Sequence, residues 1–509
     1  MRGAGRIGSD SGLYGLAVVC GLIAMLGFSA GSDDLTLILW SLATTLCGFV
    51  FAFFWDRSFD VFSPAFFLGL HFAVTYGIAG IVPLIYMPSA GGFRTLLEGV
   101  LDVFPSVSVS SFFCLAALFM GFGRRKRNST KVFAMKGAGG DEKVFCFLAL
   151  GLGVAGFAIK IASGVFWQTT TELESSLFYS GIGILEAFFW IGVVFAGCKA
   201  RISGQWIWRA VYTSALVVAL VMGLLSGSKT LTLLPAILFV FVLNYTGSSV
   251  TRRKAAVGFC GLMVVLGLLL PFNALYRESM LASGGAGSVA GAGSLASGAA
   301  DSLLSMETDS VLESSGDFGS QRLSNISMTA VIAKHSTLDK LQWGETYIRV
   351  LWAVVPRPIY MEKPPLTTGR EVGVILGLAQ ATSIEYGRPM SATSVGLTLM
   401  GEAVYNFSLF GAPFGLLFVG RLYRYLYDNV MVGVNTRSPL AIAIWFELWF
   451  SGLLMCEGNF AGIWAGLVKI SILALVTARV VGFTTAKTTP ELRTGCNTMG
   501  AMSYLRLGR

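Results

Sequence analysis

Charge is what this 509-residue chain has least of. Asp, Glu, Lys and Arg together make up only 13% of it, against about a quarter in a soluble domain. That shortage excludes an ordinary soluble fold, which needs ionised side chains over most of its surface. Histidine is nearly missing, with only His71 and His335, so no histidine pair at ligand spacing points to a metal site. No Asp-x-Asp sequence of the kind common in sugar-nucleotide enzymes lies outside the apolar runs, and no metal or other cofactor is expected. Cysteine is sparse where a disulfide framework would need it. Of eight, Cys20, Cys47, Cys114, Cys146, Cys198, Cys260 and Cys456 sit in or beside apolar runs, and Cys496 is in the C-terminal tail. They read as small apolar residues.

What is present is hydrocarbon. Apolar residues make up 54% of the chain and the mean hydropathy is +0.70. A membrane-crossing helix needs roughly 20 such residues in succession. The runs 12–30, 35–54, 62–87, 101–122, 144–165, 179–198, 209–227, 230–246, 255–275, 405–427, 438–456 and 460–481 meet or approach that length. The expected architecture is an all-α polytopic integral membrane protein of about twelve transmembrane helices.

The net charge of +9 has a place in that layout. Arg124 to Arg127, Lys199 with Arg201 and Arg209, Arg252 to Lys254, and Arg421 with Arg424 fall in short loops or at helix ends. Lys and Arg mark the cytoplasmic side of such loops, so the excess sets topology, and no nucleic-acid partner is implied. Both termini are expected in the cytoplasm. Phe28-Ser29-Ala30 loosely resembles a signal-peptide cleavage site, but the following spans need the first helix for their orientation, so it is expected to stay uncleaved. The chain then divides into nine transmembrane helices over 1–275, a large outer segment over 276–390, C-terminal transmembrane helices over 391–485, and a cytoplasmic tail over 486–509.

The outer segment gathers Arg277, Arg322, His335, Arg357, Lys363, Arg370 and Arg388. A basic segment on a lipid-buried scaffold suits an anionic, lipid-linked substrate. Residues 282–300 are rich in Gly, Ser and Ala and predict a mobile loop. Ile326, Ala330 and Ile332 or Ala333, after Leu323, predict an amphipathic helix within 321–336. Residues 345–356 are too few to span and predict a helix lying at, or dipping into, the interface. Glu402 and Asn406, four residues apart, share a helix face, and an ionisable group entering the membrane there is a functional candidate.

Four blocks, in order, resemble a known family. Pro356-Arg357-Pro358-Ile359-Tyr360-Met361-Glu362-Lys363-Pro364 is similar to the Pro-Arg-x-x-aromatic-x-x-Lys-Pro signature of Wzy-type O-antigen polymerases, which join oligosaccharide repeat units in bacteria. Gly344-Glu345-Thr346-Tyr347 resembles their Gly-x-Thr-Tyr element, preceded by a helix beginning near Arg322. Gly401-Glu402 with Asn406-Phe407 resembles their Gly-Glu-x-x-x-Asn-Phe-Gly block, and Ser226-Gly227-Ser228-Lys229-Thr230 their Gly-Ser-Arg-Thr element. The likeness covers about 220 to 425. Lys229 stands where arginine is commoner, which turns a bidentate phosphate contact into a point charge. Ser408 stands where the block carries glycine.

The resemblance implies a GT-C-like fold and transfer of a growing glycan from undecaprenyl pyrophosphate to a new lipid-linked unit at the periplasmic face of the bacterial inner membrane. Membrane lipids and a chain-length regulator are the other implied partners. For the leaving pyrophosphate the candidates are Arg357 and Arg322, supported by Lys363, Arg277 and Lys229, because guanidinium matches phosphate oxygens as a rigid fork. For the acceptor proton they are His335 and Glu402. Lipid headgroup anchoring for the arginines, and a buried-arginine partner for Glu402, are the plainer roles. His335 and Arg322 lie about 140° apart on one straight helix, so both reach one site only if that helix breaks. Tyr360 and Asn406 are candidate glycan contacts. Trp343, Tyr347 and Trp352 surround the basic motif and suit a membrane-interface belt as well as sugar stacking. An O-antigen ligase, transferring the glycan to lipid A core, shares this plan; a lipid-linked oligosaccharide flippase would show two related halves.

Overall fold

Serines start three of the helices. Ser32, Ser63 and Ser438 each accept the backbone N–H three residues on, from Leu35, Phe66 and Ala441, and Pro64 and Pro439 sit at the first helical position. The computed structural model describes residues 32–55, 59–81, 98–123, 134–136, 142–162, 177–225, 229–247, 250–282, 289–305, 325–336, 340–352, 368–377, 380–385, 388–391, 396–435, 438–450 and 484–486, with scattered positions in 22–29, at 355 and in 452–476.

The helices are α1 (Asp33–Phe54), α2 (Pro64–Phe72, running into a π-helical turn at Ala73–Ile78), α3 (Phe104–Phe122), α4 (Glu142–Ala162), α5 (Leu177–Ser203), α6 (Trp206–Leu225), α7 (Lys229–Thr246) and α8 (Arg252–Ala282). They continue as α9 (Val289–Ser305), α10 (Asn325–His335), α11 (Glu345–Trp352), α12 (Thr368–Ile375), α13 (Leu399–Asn435) and α14 (Pro439–Trp449). Two short antiparallel ribbons pair Ala134–Lys136 with Thr484–Ala486 and Ala381–Glu385 with Arg388–Ser391. Among the described residues, six helical stretches are long and apolar enough to cross a membrane: Asp33–Phe54, Pro64–Ile81, Leu101–Phe122, Glu142–Ile161, Trp206–Leu224 and Leu399–Asn429. The chain is a helical, membrane-embedded protein. The expected spans 12–30 and 460–481 fall largely outside the described residues.

Side-chain contacts fix the relative directions of the helices. Ser41 pairs with Ser108 at 3.0 Å and Thr44 with Ser111 at 3.3 Å, a constant offset that makes α1 and α3 parallel. Ser110 reaches Leu409 O, and a Cβ at Gly420 would meet Leu118 O, so α3 and α13 are parallel as well. Lys160–Glu186 and Lys199–Glu142 ion pairs at opposite ends make α4 and α5 antiparallel. The rings of Phe241 against Phe446 and Trp449 make α7 and α14 antiparallel, because Trp445 reaches back to Tyr245. These directions agree with the alternation that the charged loops predict. Small residues permit the closest approach: a Cβ at Gly48 would come within 2.5 Å of Gly69 O, and one at Gly69 within 2.6 Å of Gly48 O.

Two expectations change. The Gly/Ser/Ala-rich stretch is a helix over Val289–Ser305, not a loop. Ala292, Leu295, Ala296 and Ala299 fall on one face of it, and Ala292 and Ala299 are fully buried. Packing against α8 and α6 stabilises what composition alone leaves unordered, because side chains this small allow backbones to approach. The helix expected over 405–427 begins earlier, at Leu399. Thr398 starts it, accepting Gly401 N–H on its side chain and Glu402 N–H on its carbonyl. The amphipathic helix within 321–336 is found as Asn325–His335, with Ile326, Ala330 and Ile332 buried. Leu323 lies outside the described residues.

Candidate functional site

The site is organised by a break in α13. Ser408 has φ 64° and ψ 178°, a region that normally requires glycine, so the helical ladder is interrupted shortly after Glu402 and Asn406. A break leaves carbonyls without their usual donors. The segment before α11 supplies replacements: Gln342 N–H reaches Tyr405 O at 3.4 Å and Trp343 N–H reaches Asn406 O at 3.0 Å. Ser110 donates to Leu409 O at 2.8 Å on the other side of the break. Trp343 (φ 48°) and Gly344 (φ 88°) make the turn that aims these N–H groups, and the next N–H, of Gly344, donates to Asn406 Oδ1 at 3.0 Å.

Docked in this way, α11 places Thr346 over the Glu402 carboxylate. Thr346 donates to Glu402 Oε1 at 2.5 Å, and the N–H of Phe460 donates to Oε2. Asn406 donates from Nδ2 to Thr346 Oγ1 at 2.7 Å and to Glu402 O at 2.8 Å. Thr346, Glu402 and Asn406 are each fully buried. A carboxylate at such a place is tolerated only when its lone pairs are occupied, and here both oxygens are. Three residues along α11, on the same face, Arg349 is 2% exposed. It bridges Glu371 of α12 at 3.0 Å and Glu345 at 2.9 Å, and it acts electrostatically on Glu402. Arg370 and Glu371 are both buried at the start of α12. Tyr347 packs between the rings of Phe407 and Phe460 and its hydroxyl has no hydrogen-bond partner among the described residues. Burial, and then the Glu402 carboxylate, hold that phenol well above its ordinary value.

Of the residues singled out from sequence, Glu402 and Asn406 come together, with Asn406 fixing Thr346 on Glu402. His335 stands apart. It is exposed at the end of α10, and its Nδ1 lies 3.0 Å from Val331 O. A carbonyl only accepts, so Nδ1 carries the proton and Nε2 is the free lone pair of the neutral ring. Beside it Lys334 pairs with Asp102 at 3.1 Å. Arg277 and Lys229 lie in helices α8 and α7, with side chains outside the description. Arg322, Arg357, Tyr360 and Lys363 lie outside the described residues.

Sequence reasoning missed Arg349 and Glu371. Glu345 and Arg349 at i, i+4 and Thr346 and Arg349 at i, i+3 were the available signals; Glu371 has none, since only the fold brings it near. Missed too was a second polar cluster. Asp60, between α1 and α2, accepts hydrogen bonds from Tyr245 Oη at 2.8 Å, Tyr427 Oη at 3.0 Å, Phe62 N at 3.0 Å and Asn244 Nδ2 at 3.2 Å. Trp445 Nε1 donates to Tyr245 Oη at 2.9 Å. Tyr427 lies about 27 Å along α13 from Leu409, just past the break, so this cluster and the Glu402 cluster occupy opposite ends of the bundle. Compared with protein families, with curated proteins and with solved structures, the chain matches none.

Proposed function

We propose that this chain is a twelve-span, GT-C-like glycosyltransferase of the bacterial inner membrane. It extends undecaprenyl-pyrophosphate-linked oligosaccharide by repeat units at the periplasmic face. One observation carries the reading. Gly344-Glu345-Thr346-Tyr347 and Gly401-Glu402 with Asn406-Phe407, two blocks noted separately for their resemblance to Wzy-type polymerases, are hydrogen-bonded to each other through Thr346, Glu402, Gly344 and Asn406.

In this reading the acceptor hydroxyl attacks the anomeric carbon of the lipid-linked chain. A new glycosidic C–O bond forms as the bond to the pyrophosphate oxygen breaks, and undecaprenyl pyrophosphate departs. Arg357 and Arg322, with Lys363, Arg277 and Lys229, neutralise the charge that develops on it. The proton passes to a base. His335 is the better candidate of the two, because it is exposed and its Nε2 is not the nitrogen engaged with Val331 O, whereas both oxygens of Glu402 are occupied. Glu402 then positions α11. A chain-length regulator is the protein partner this reaction calls for.

The test is glycan length, read on gels from a deletion strain complemented with wild type or Arg357→Ala at matched membrane levels. Retention of a single repeat unit on its acceptor, with loss of long polymer in both the deletion and Arg357→Ala, is expected. Loss of the single-unit product in the deletion points to ligation or export and sinks the proposal.

A further inference from the structure

The polarity of α11 is inverted relative to a helix on a water-soluble domain. Beyond Glu345 at its first position, which is partly exposed, its polar residues Thr346 and Arg349 are buried, at 0% and 2% exposure, while Ile348, Leu351 and Trp352 are exposed at 56%, 68% and 41%. In water this arrangement is unfavourable twice over: a guanidinium leaves solvent and three large apolar side chains enter it. In hydrocarbon both terms change sign. The membrane-crossing helix on which α11 docks presents an apolar face as well. Trp343 N–H is bonded to Asn406 O, one turn before Phe410, and Phe410, Phe414 and Phe418 of α13 are exposed at 92%, 76% and 55%. The backbone meets the demand that a bilayer makes, since the N–H groups of residues 342–344 are all bonded.

We propose that α11 is a half-inserted helix, with Ile348, Leu351 and Trp352 against the lipid chains of one leaflet and its polar face sealed on α13. Eight residues rise about 12 Å, enough to enter one leaflet of a hydrocarbon layer about 30 Å thick. Trp343 and Trp352 bracket the helix, as aromatic side chains do near a membrane boundary. The Glu402–Thr346–Asn406 cluster is thereby screened from lipid by α11 itself. This placement holds whatever reaction the chain performs.

The experiment uses the purified full chain in phosphatidylcholine vesicles, freeze–thawed so that reagents reach both faces. Leu351→Cys, Ile348→Cys and Ala381→Cys are treated with a charged maleimide or with pyrene maleimide, and modification is read peptide by peptide. The charged reagent should modify the thiols at 351 and 348 at least about tenfold more slowly than that at 381, since a charged molecule is excluded from hydrocarbon. Pyrene maleimide, which partitions into lipid, should modify 351 and 348 while sparing the buried native Cys114. Equal rates with the charged reagent would place α11 in water. Silence toward both reagents, as for Cys114, would mean that protein covers it. Either result overturns the proposal.

Discussion

Thr346 donates its hydroxyl to Glu402 Oε1 at 2.5 Å while accepting from Asn406 Nδ2 at 2.7 Å. A single side chain on an eight-residue helix thus closes a buried network over the broken part of α13. Replacing Thr346 by valine keeps the shape and removes both bonds, leaving a carboxylate oxygen and an amide N–H underfilled. The expected cost is about 1–3 kcal/mol, seen as a lowered unfolding temperature in detergent, with Thr346→Ser close to wild type. An unchanged Thr346→Val protein would show that the network does not hold α11.

Arg349 ties α11 to α12. With Arg349→Met, Glu371 loses this partner at a site where its side chain is 6% exposed. Breaking one side of a buried pair costs about 3–5 kcal/mol. The double variant Arg349→Met/Glu371→Gln should regain part of that loss, because the charge at position 371 goes with its partner, and Glu345, the other partner, is partly exposed to begin with. Equal losses in the single and double variants would refute the coupling.

Ser408 occupies a conformation that glycine adopts freely. Ser408→Gly should therefore raise stability by about 1 kcal/mol, and Ser408→Val should lower it by a similar amount or more. Thermal unfolding of the two variants side by side measures the difference. A destabilised glycine variant would mean that the serine hydroxyl contributes more than the backbone strain removes.

Asp60 gives stability a pH dependence. Burial raises its carboxyl above the ordinary 3.8, against the opposing hydrogen bonds from Tyr245, Phe62, Tyr427 and Asn244. With the folded value raised, the folded state holds the proton more tightly than the unfolded chain. Stability associated with this group is then greatest below the ordinary value and is lost as pH rises from there through the raised value. Asp60→Asn should flatten that part of the profile. An identical slope in the variant, by unfolding temperature across acidic pH, would assign the dependence elsewhere.

The parts of this molecule that sequence discloses are those set by local periodicity. Glu402 and Asn406 fall on one face at four-residue spacing wherever the helix begins, and the directions of α1, α3 and α13 follow from charged loops. Burial of Arg349 is different in kind. It depends on the N–H groups of 342 and 343 finding the carbonyls freed at the break, and that of 344 finding the Asn406 side chain, and nothing in residues 345–352 announces that docking. Composition misled at Val289–Ser305 for a related reason: Ala and Gly read as disorder until neighbouring helices offer them a surface. Asp60 is a lone carboxylate in a short loop, and its side-chain partners come from two distant helices, α7 and α13.

The constant offset of the Ser41–Ser108 and Thr44–Ser111 pairs has a consequence for how this chain can vary in length. The connection between α1 and α3 can gain or lose residues without disturbing either pair. One residue inserted between Ser41 and Thr44 turns the two hydroxyls about 100° out of phase and separates at least one pair. Natural insertions and deletions should accordingly be accepted between α2 and α3 and rejected within α1 and α3.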